Sequence, residues 1–147
     1  MGFQDAVRSC FSKYVTFSGR APRSEYWYFV LFGVIGSIIL GVIDTMLFPS
    51  EAPIDTGPLS SIFGLLTLLP HLSVTVRRLH DLDRTGWWWW LWLIPLVGWI
   101  ISIVWYATKG TSGPNRFGPD PFGGDDPFDA NEYDISRSSI PNVRRDD

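Results

Sequence analysis

The chain has 147 residues, 46% of them hydrophobic, which gives room for one domain with more apolar character than a water-soluble core of that size requires. Its net charge of -3 is unevenly distributed: Gly118 to Asp147 carries eight acids against three arginines, leaving the first 117 residues at about +2. Cys10 is the single cysteine, which excludes a disulfide framework or a thiolate metal site within one chain, and neither a metal, a cofactor nor a nucleic-acid partner is expected.

From the N-terminus, Phe3, Val7, Cys10, Phe11 and Tyr14 recur at helical spacing, with Gln4, Asp5, Arg8, Ser9 and Ser12 on the other face. Residues 1–16 therefore read as an amphipathic helix lying in the headgroup layer. The segment up to Glu25 lacks the apolar run and small-residue cleavage site of a signal peptide, so the first span is expected to stay attached.

A membrane domain follows over residues 17–108, with apolar spans at about 26–48, 59–76 and 87–107. Each is long enough, at about 1.5 Å per residue, to cross most of a hydrocarbon layer roughly 30 Å thick. The middle span is the most polar. Its Ser60, Gly64, Thr67, His71, Thr75 and Arg78 fall in one helical stripe, which is expected to face the other helices. Gly33, Ser37 and Gly41 in the first span, and Gly98 and Ser102 in the third, are small residues four apart that would let helix backbones approach. The fold class read from this pattern is an all-α membrane protein: a compact bundle of three transmembrane helices preceded by an amphipathic interfacial helix, with a disordered C-terminal tail. That tail, residues 109–147, is rich in Gly, Pro and Asp and has too few apolar residues to offset the entropy of ordering.

Basic residues orient the spans. Arg8, Lys13, Arg20 and Arg23 precede the first, Arg77, Arg78 and Arg84 lie between the second and third, and the loop from Pro49 to Pro58 has none. By the positive-inside rule the N-terminus is cytoplasmic and, with three crossings, the tail lies outside; Lys109 and Arg116 dissent from that last step. Trp87 to Trp90 and Trp92 at the start of the third span, with Trp99, Trp105 and Tyr106 towards its end, read as two interfacial belts.

The densest polar constellation runs from Arg77 to Gly86. In one reading its arginines satisfy helix-terminal carbonyls and lipid phosphates, with the aspartates holding a compact turn. In a second, Arg20, Arg23, Arg77, Arg78 and Arg84 form a cradle for an anionic ligand such as a lipid headgroup, because guanidinium forks match phosphate oxygens. Glu25, His80, Asp81 and Asn115 would join the same polar network, with Glu25 and Asp81 each pairing with an arginine. A third reading makes His80 and Asp81 an acid-base pair in an enzyme acting on an anionic lipid or phosphate ligand. Neighbouring residues on a helix point in different directions, however, and neither a phosphate loop nor a nucleophile elbow accompanies them. No catalytic residue is therefore assigned. Asp44 and His71 are ionisable groups within the spans, which keeps open an ion or small-molecule transport component acting as an oligomer.

Read together, these motifs resemble a bacterial inner-membrane family catalogued as domain of unknown function 805. The resemblance covers about Phe11 to Pro121. It rests on Phe17-Ser18-Gly19-Arg20-Ala21-Pro22-Arg23-Ser24-Glu25-Tyr26-Trp27, on Leu69-Pro70, on Arg77-Arg78-Leu79-His80-Asp81, on Gly86-Trp87-Trp88, and on Gly113-Pro114-Asn115-Arg116-Phe117-Gly118-Pro119-Asp120-Pro121. It implies a multi-pass protein of the bacterial cytoplasmic membrane and carries no reaction, substrate or cofactor with it. In the family pattern a small residue follows Pro70, where this chain has His71. The combined expectation is a non-catalytic structural or binding module with a basic cytoplasmic face. Its partners would be the bilayer, an anionic lipid, and further copies of itself or other membrane proteins.

Overall fold

The computed structural model describes residues 1–49 and 57–123; most of the loop expected from Pro49 to Pro58, and the acidic tail after residue 123, lie outside the described residues. Within them the chain is all-helical apart from turns and one isolated bridge between Asn115 and Gly118. Helix α1 is Phe3–Ser12, α2 is Arg23–Leu47 and α3 is Pro58–Asp81; a 3-10 helix spans Gly86–Leu93, and α4 is Val97–Ala107.

Two of these helices are long and apolar enough to cross a membrane. With 25 residues in α2 and 24 in α3, each reaches about 36 Å at 1.5 Å per residue, more than the roughly 30 Å of a hydrocarbon core. They pack against each other as a hairpin whose outer faces carry Leu31, Val34, Ile35, Ile38, Ile39 and Val42 of α2 and Ile62, Leu65, Leu66 and Leu68 of α3, all exposed. A continuous apolar surface of that kind needs hydrocarbon around it.

Local chemistry fixes both ends of the hairpin. Pro58 opens α3, where an absent amide is harmless, and the buried Asp44 of α2 caps it: the Leu59 and Ser60 amides donate to its two carboxylate oxygens at 3.0 and 2.7 Å. Gly57 has no side chain because a Cβ there would run into Asp44. Asp44 thus acts as a helix cap supplied by the neighbouring helix. At the other end α1 lies against α2 and α3, burying Ala6 and Cys10 and setting the Phe11 ring edge-on to Phe29 and Phe32 at 5.7 and 5.8 Å. The buried core of Cys10, Ala21, Tyr26, Phe29, Val74, Leu79 and Tyr106 gathers at this end.

The third apolar block differs from its expectation. It does not form one spanning helix: the 3-10 helix ends at Leu93, Leu96 takes φ 62°, and α4 runs only 11 residues. Pro95 supplies the reason, since it has no amide to donate and disfavours helical backbone in the residue before it. The two pieces fold back on each other. Trp88 meets Trp105 at 5.4 Å between ring centres, Trp92 meets Trp99, and the Trp99 indole donates to the Trp92 carbonyl at 3.0 Å. The two tryptophan groups read as separate belts therefore pair within one antiparallel hairpin.

The small-residue pattern is also used differently. A Cβ added at Gly33, Gly41 or Gly64 would meet nothing within 4 Å, whereas Gly36 lies under the Phe63 ring and Gly98 under the Leu91 carbonyl. The polar stripe of α3 is covered mainly in its later half, where Thr75 and Arg78 are buried; Gly64 and His71 are exposed.

Candidate functional site

The last turn of α3 delivers Arg77, Arg78 and Asp81 into the core, where each is no more than 1% exposed. Asp81 is held by two guanidiniums. Arg20 donates through Nε to Oδ1 at 3.0 Å, and Arg78 pairs with Oδ2. Arg77 pairs with the buried Glu25 at 2.8 Å, and Ser9 donates to the same carboxylate oxygen at 3.1 Å. Three buried cations thus face two buried anions. The surplus charge is met by carbonyls: Arg20 donates to Thr111 at 2.5 Å and Gly113 at 2.6 Å, and Arg78 donates to Tyr106 at 3.1 Å and to Thr108. Desolvated ions persist when their remaining donors are engaged in this way. Arg77 is the exception, since its Nε and Nη2 are buried without a partner among the described residues.

The segment after α4 is built into this network. Thr111 donates from its amide and its hydroxyl to the Asp81 carbonyl at 2.9 and 3.1 Å, and Asn115 donates to the His80 carbonyl at 2.9 Å. The His80 ring stacks on Phe117 at 4.0 Å with its Nδ1 3.1 Å from the Gly19 carbonyl, and Arg116 pairs with Asp83 at the surface. Gly110 passes so near Asp81 that a Cβ would overlap its carboxylate. The composition from Lys109 onward suggested disorder, yet its first part, through Gly118, packs on the ion pairs; sequence reasoning did not find Gly110, Thr111 and Gly113 as its partners.

The other expected site residues separate. Arg84 lies over the Trp105 ring at 3.9 Å, which is a cation–π contact. Arg23 is exposed and donates to the Ala107 carbonyl at 3.3 Å. With Lys109, Gly110, Thr111, Ser112, Gly113, Asp81, Asp120 and Phe122 it lines a cavity of about 560 Å³. Arg23 also edges a neighbouring cleft of about 330 Å³ formed by Ser24, Trp27, Tyr28 and Ala107. Asp120 is held below the usual carboxylate range by the Phe122 and Gly113 amides that donate to it. Burial, and then the Glu25 charge, push the Cys10 thiol up to about 12, so it stays protonated and unreactive. Among the described residues no three His, Cys, Asp or Glu side chains stand close enough to hold a metal ion.

Arg20, Glu25, Arg77, Arg78, Asp81 and Thr111 all lie within a stretch that matches a known family. The family described as "Protein of unknown function (DUF805)" matches residues 14–119. The chain belongs to this family. Among its curated relatives, "Inner membrane protein YhaH" of Escherichia coli (strain K12) is 51% identical over 108 residues, covering 74% of this chain and 88% of the relative. "Inner membrane protein YhaI" of the same organism is 44% identical over 113 residues, covering 77% and 92%. No solved structure matches. The family's inner membrane proteins live in a lipid bilayer, in keeping with the exposed apolar faces of α2 and α3.

Proposed function

We propose that the protein is a non-catalytic binding module of the bacterial cytoplasmic membrane that holds an anionic lipid headgroup between Arg23 and Lys109. The observation that carries this reading is the division of labour among the cations. Arg20, Arg77 and Arg78 are buried in ion pairs, whereas Arg23 and Lys109 line an open cavity beside an apolar cleft. A phosphate fits the first and an acyl chain the second, along Trp27 and Tyr28. Asp81 adds no free charge to the cavity, being neutralised by its two arginines, and the one remaining lining carboxylate, Asp120, leaves Arg23 and Lys109 with a net positive charge.

The same geometry supports an orientation. The basic end is cytoplasmic by the positive-inside rule, with α1 in the headgroup layer. Thr108, Thr111, Gly113 and Asn115 bond to that same end, which favours a tail that begins on the cytoplasmic side rather than outside. The 3-10 helix and α4, each about 16 Å long, would then dip into the bilayer and return.

The test is native mass spectrometry of protein released from vesicles containing equal amounts of phosphatidylglycerol and phosphatidylcholine. The wild type should retain phosphatidylglycerol, and the Arg23→Gln/Lys109→Gln protein should lose that preference while its melting temperature is unchanged. Equal retention of both lipids by the wild type would overturn the reading.

A further inference from the structure

A second cavity, of about 220 Å³, lies deeper along the spans and is lined by Tyr26, His71, Thr75, Trp89 and Trp92. His71 sits six residues before Arg77, which puts it about 9 Å further into the helix hairpin than the ion pairs. Thr75 is engaged, its hydroxyl donating to the His71 carbonyl at 2.7 Å. The His71 imidazole lies 6.2 Å, between ring centres, from the rings of both Tyr26 and Phe29, but among the described residues it makes no hydrogen bond or ion pair, and neither does the Tyr26 hydroxyl.

In hydrocarbon no water is available to satisfy such groups, and an imidazole always brings both a donor and an acceptor when neutral. Two residues with unengaged polar groups line one aromatic-walled cavity, and with His71 on an exposed face of α3 they describe a site entered sideways from the bilayer. Its size and lining select the occupant. An apolar cavity of about 150 Å³ accepts benzene, so this one takes a single ring with its substituents and leaves any tail in the lipid. No Lys or Arg lines it, which argues against a phosphate and for neutral oxygen acceptors.

We propose that this cavity binds a membrane-soluble molecule with one carbonyl-bearing ring, of the quinone class. The ring packs against Trp89 and Trp92, and a carbonyl oxygen accepts from His71 or Tyr26. This site is independent of the headgroup site at Arg23 and Lys109, with which it shares no lining residue.

The experiment titrates a benzoquinone bearing a ten-carbon tail into the full chain held in phosphatidylcholine nanodiscs, reading tryptophan fluorescence and melting temperature. The wild type should show saturable quenching at one quinone per chain and a raised melting temperature. His71→Ala should weaken binding by about tenfold, the scale of one lost hydrogen bond. Tyr26→Phe, which removes only a hydroxyl, serves the same purpose if His71→Ala does not fold. Quenching that rises in proportion to the quinone-to-lipid ratio without saturating, a curve unchanged in both variants, or displacement by added phosphatidylglycerol would each overturn the proposal.

Discussion

The Tyr14 hydroxyl donates a 2.7 Å hydrogen bond to the Leu66 carbonyl, the group that Pro70 leaves without its helical amide partner. A residue before the first span thus repairs a defect inside the second, and ties the turn after α1 to the hairpin. Tyr14→Phe should destabilise the protein by about 1–3 kcal/mol, the range for a polar group left unmatched away from water. Pro70→Ala restores the amide, so the loss should shrink in that background. A double-mutant cycle in mixed detergent micelles measures it, and additive losses would show that the two residues are not coupled.

Asp81 answers two buried guanidiniums, so among the described residues its charge is shared by two cations at once. Asp81→Asn keeps the shape and removes the charge, leaving Arg20 and Arg78 together without an anion. Breaking buried pairs in this way costs about 3–5 kcal/mol. Thr111 bonds the backbone of the same residue, so the segment from Lys109 to Gly118 should loosen along with the core. Limited proteolysis should then cut within that segment in the variant and spare it in the wild type.

Gly110→Ala tests the same junction from the other side. Its Cβ would overlap the Asp81 carboxylate, so either the loop or the ion pair must move. Overpacking of this kind costs about 1–3 kcal/mol. The variant should melt earlier than Gly113→Ala: a Cβ at Gly113 meets nothing within 4 Å, and its cost comes from a backbone φ of 71° alone. Equal melting temperatures would contradict the packing argument.

Asp120 supplies a pH dependence. Two amides hold its carboxylate below the usual range, so the charged form is favoured when the segment is folded. A depressed folded value stabilises the fold above the unfolded value, about 3.9, and that contribution disappears as pH falls through the folded value. Hydrogen exchange at Gly113 and Phe122 should therefore accelerate in acid below about pH 4. Asp120→Asn should exchange faster at neutral pH and show less further change on acidification.

Much of this was legible in the sequence, and the failures have physical causes. Long apolar runs disclosed α2 and α3, because a span needs length and little else. The cluster of Arg20, Glu25, Arg77, Arg78 and Asp81 was readable as ion pairs, since charges beside a membrane need partners. The role of Asp44 was hidden, because the amides it caps lie 15 residues away and amides carry no sequence label. The same holds for Thr111 and Gly113, whose carbonyls receive Arg20. The break in the third block had a visible signal in Pro95, which a length argument alone passed over.

That break bears on which side of the membrane the tail begins. Three full crossings would separate the residues after α4 from the basic end, yet Arg20 and Arg78 donate to carbonyls from Tyr106 to Gly113. Lys109 lies within that stretch and Arg116 just after it, and both add positive charge at the end where the other arginines gather. In a Cys10→Ser background, a cysteine at Ser112 should thus resist a membrane-impermeant maleimide on intact spheroplasts and react in inverted vesicles. A cysteine at Phe48, exposed at the far end of α2, should do the reverse. Labelling of the Ser112 cysteine from outside would mean that the hairpin of tryptophans opens into a third crossing, and that the arginine bonds to the tail form only when it is closed.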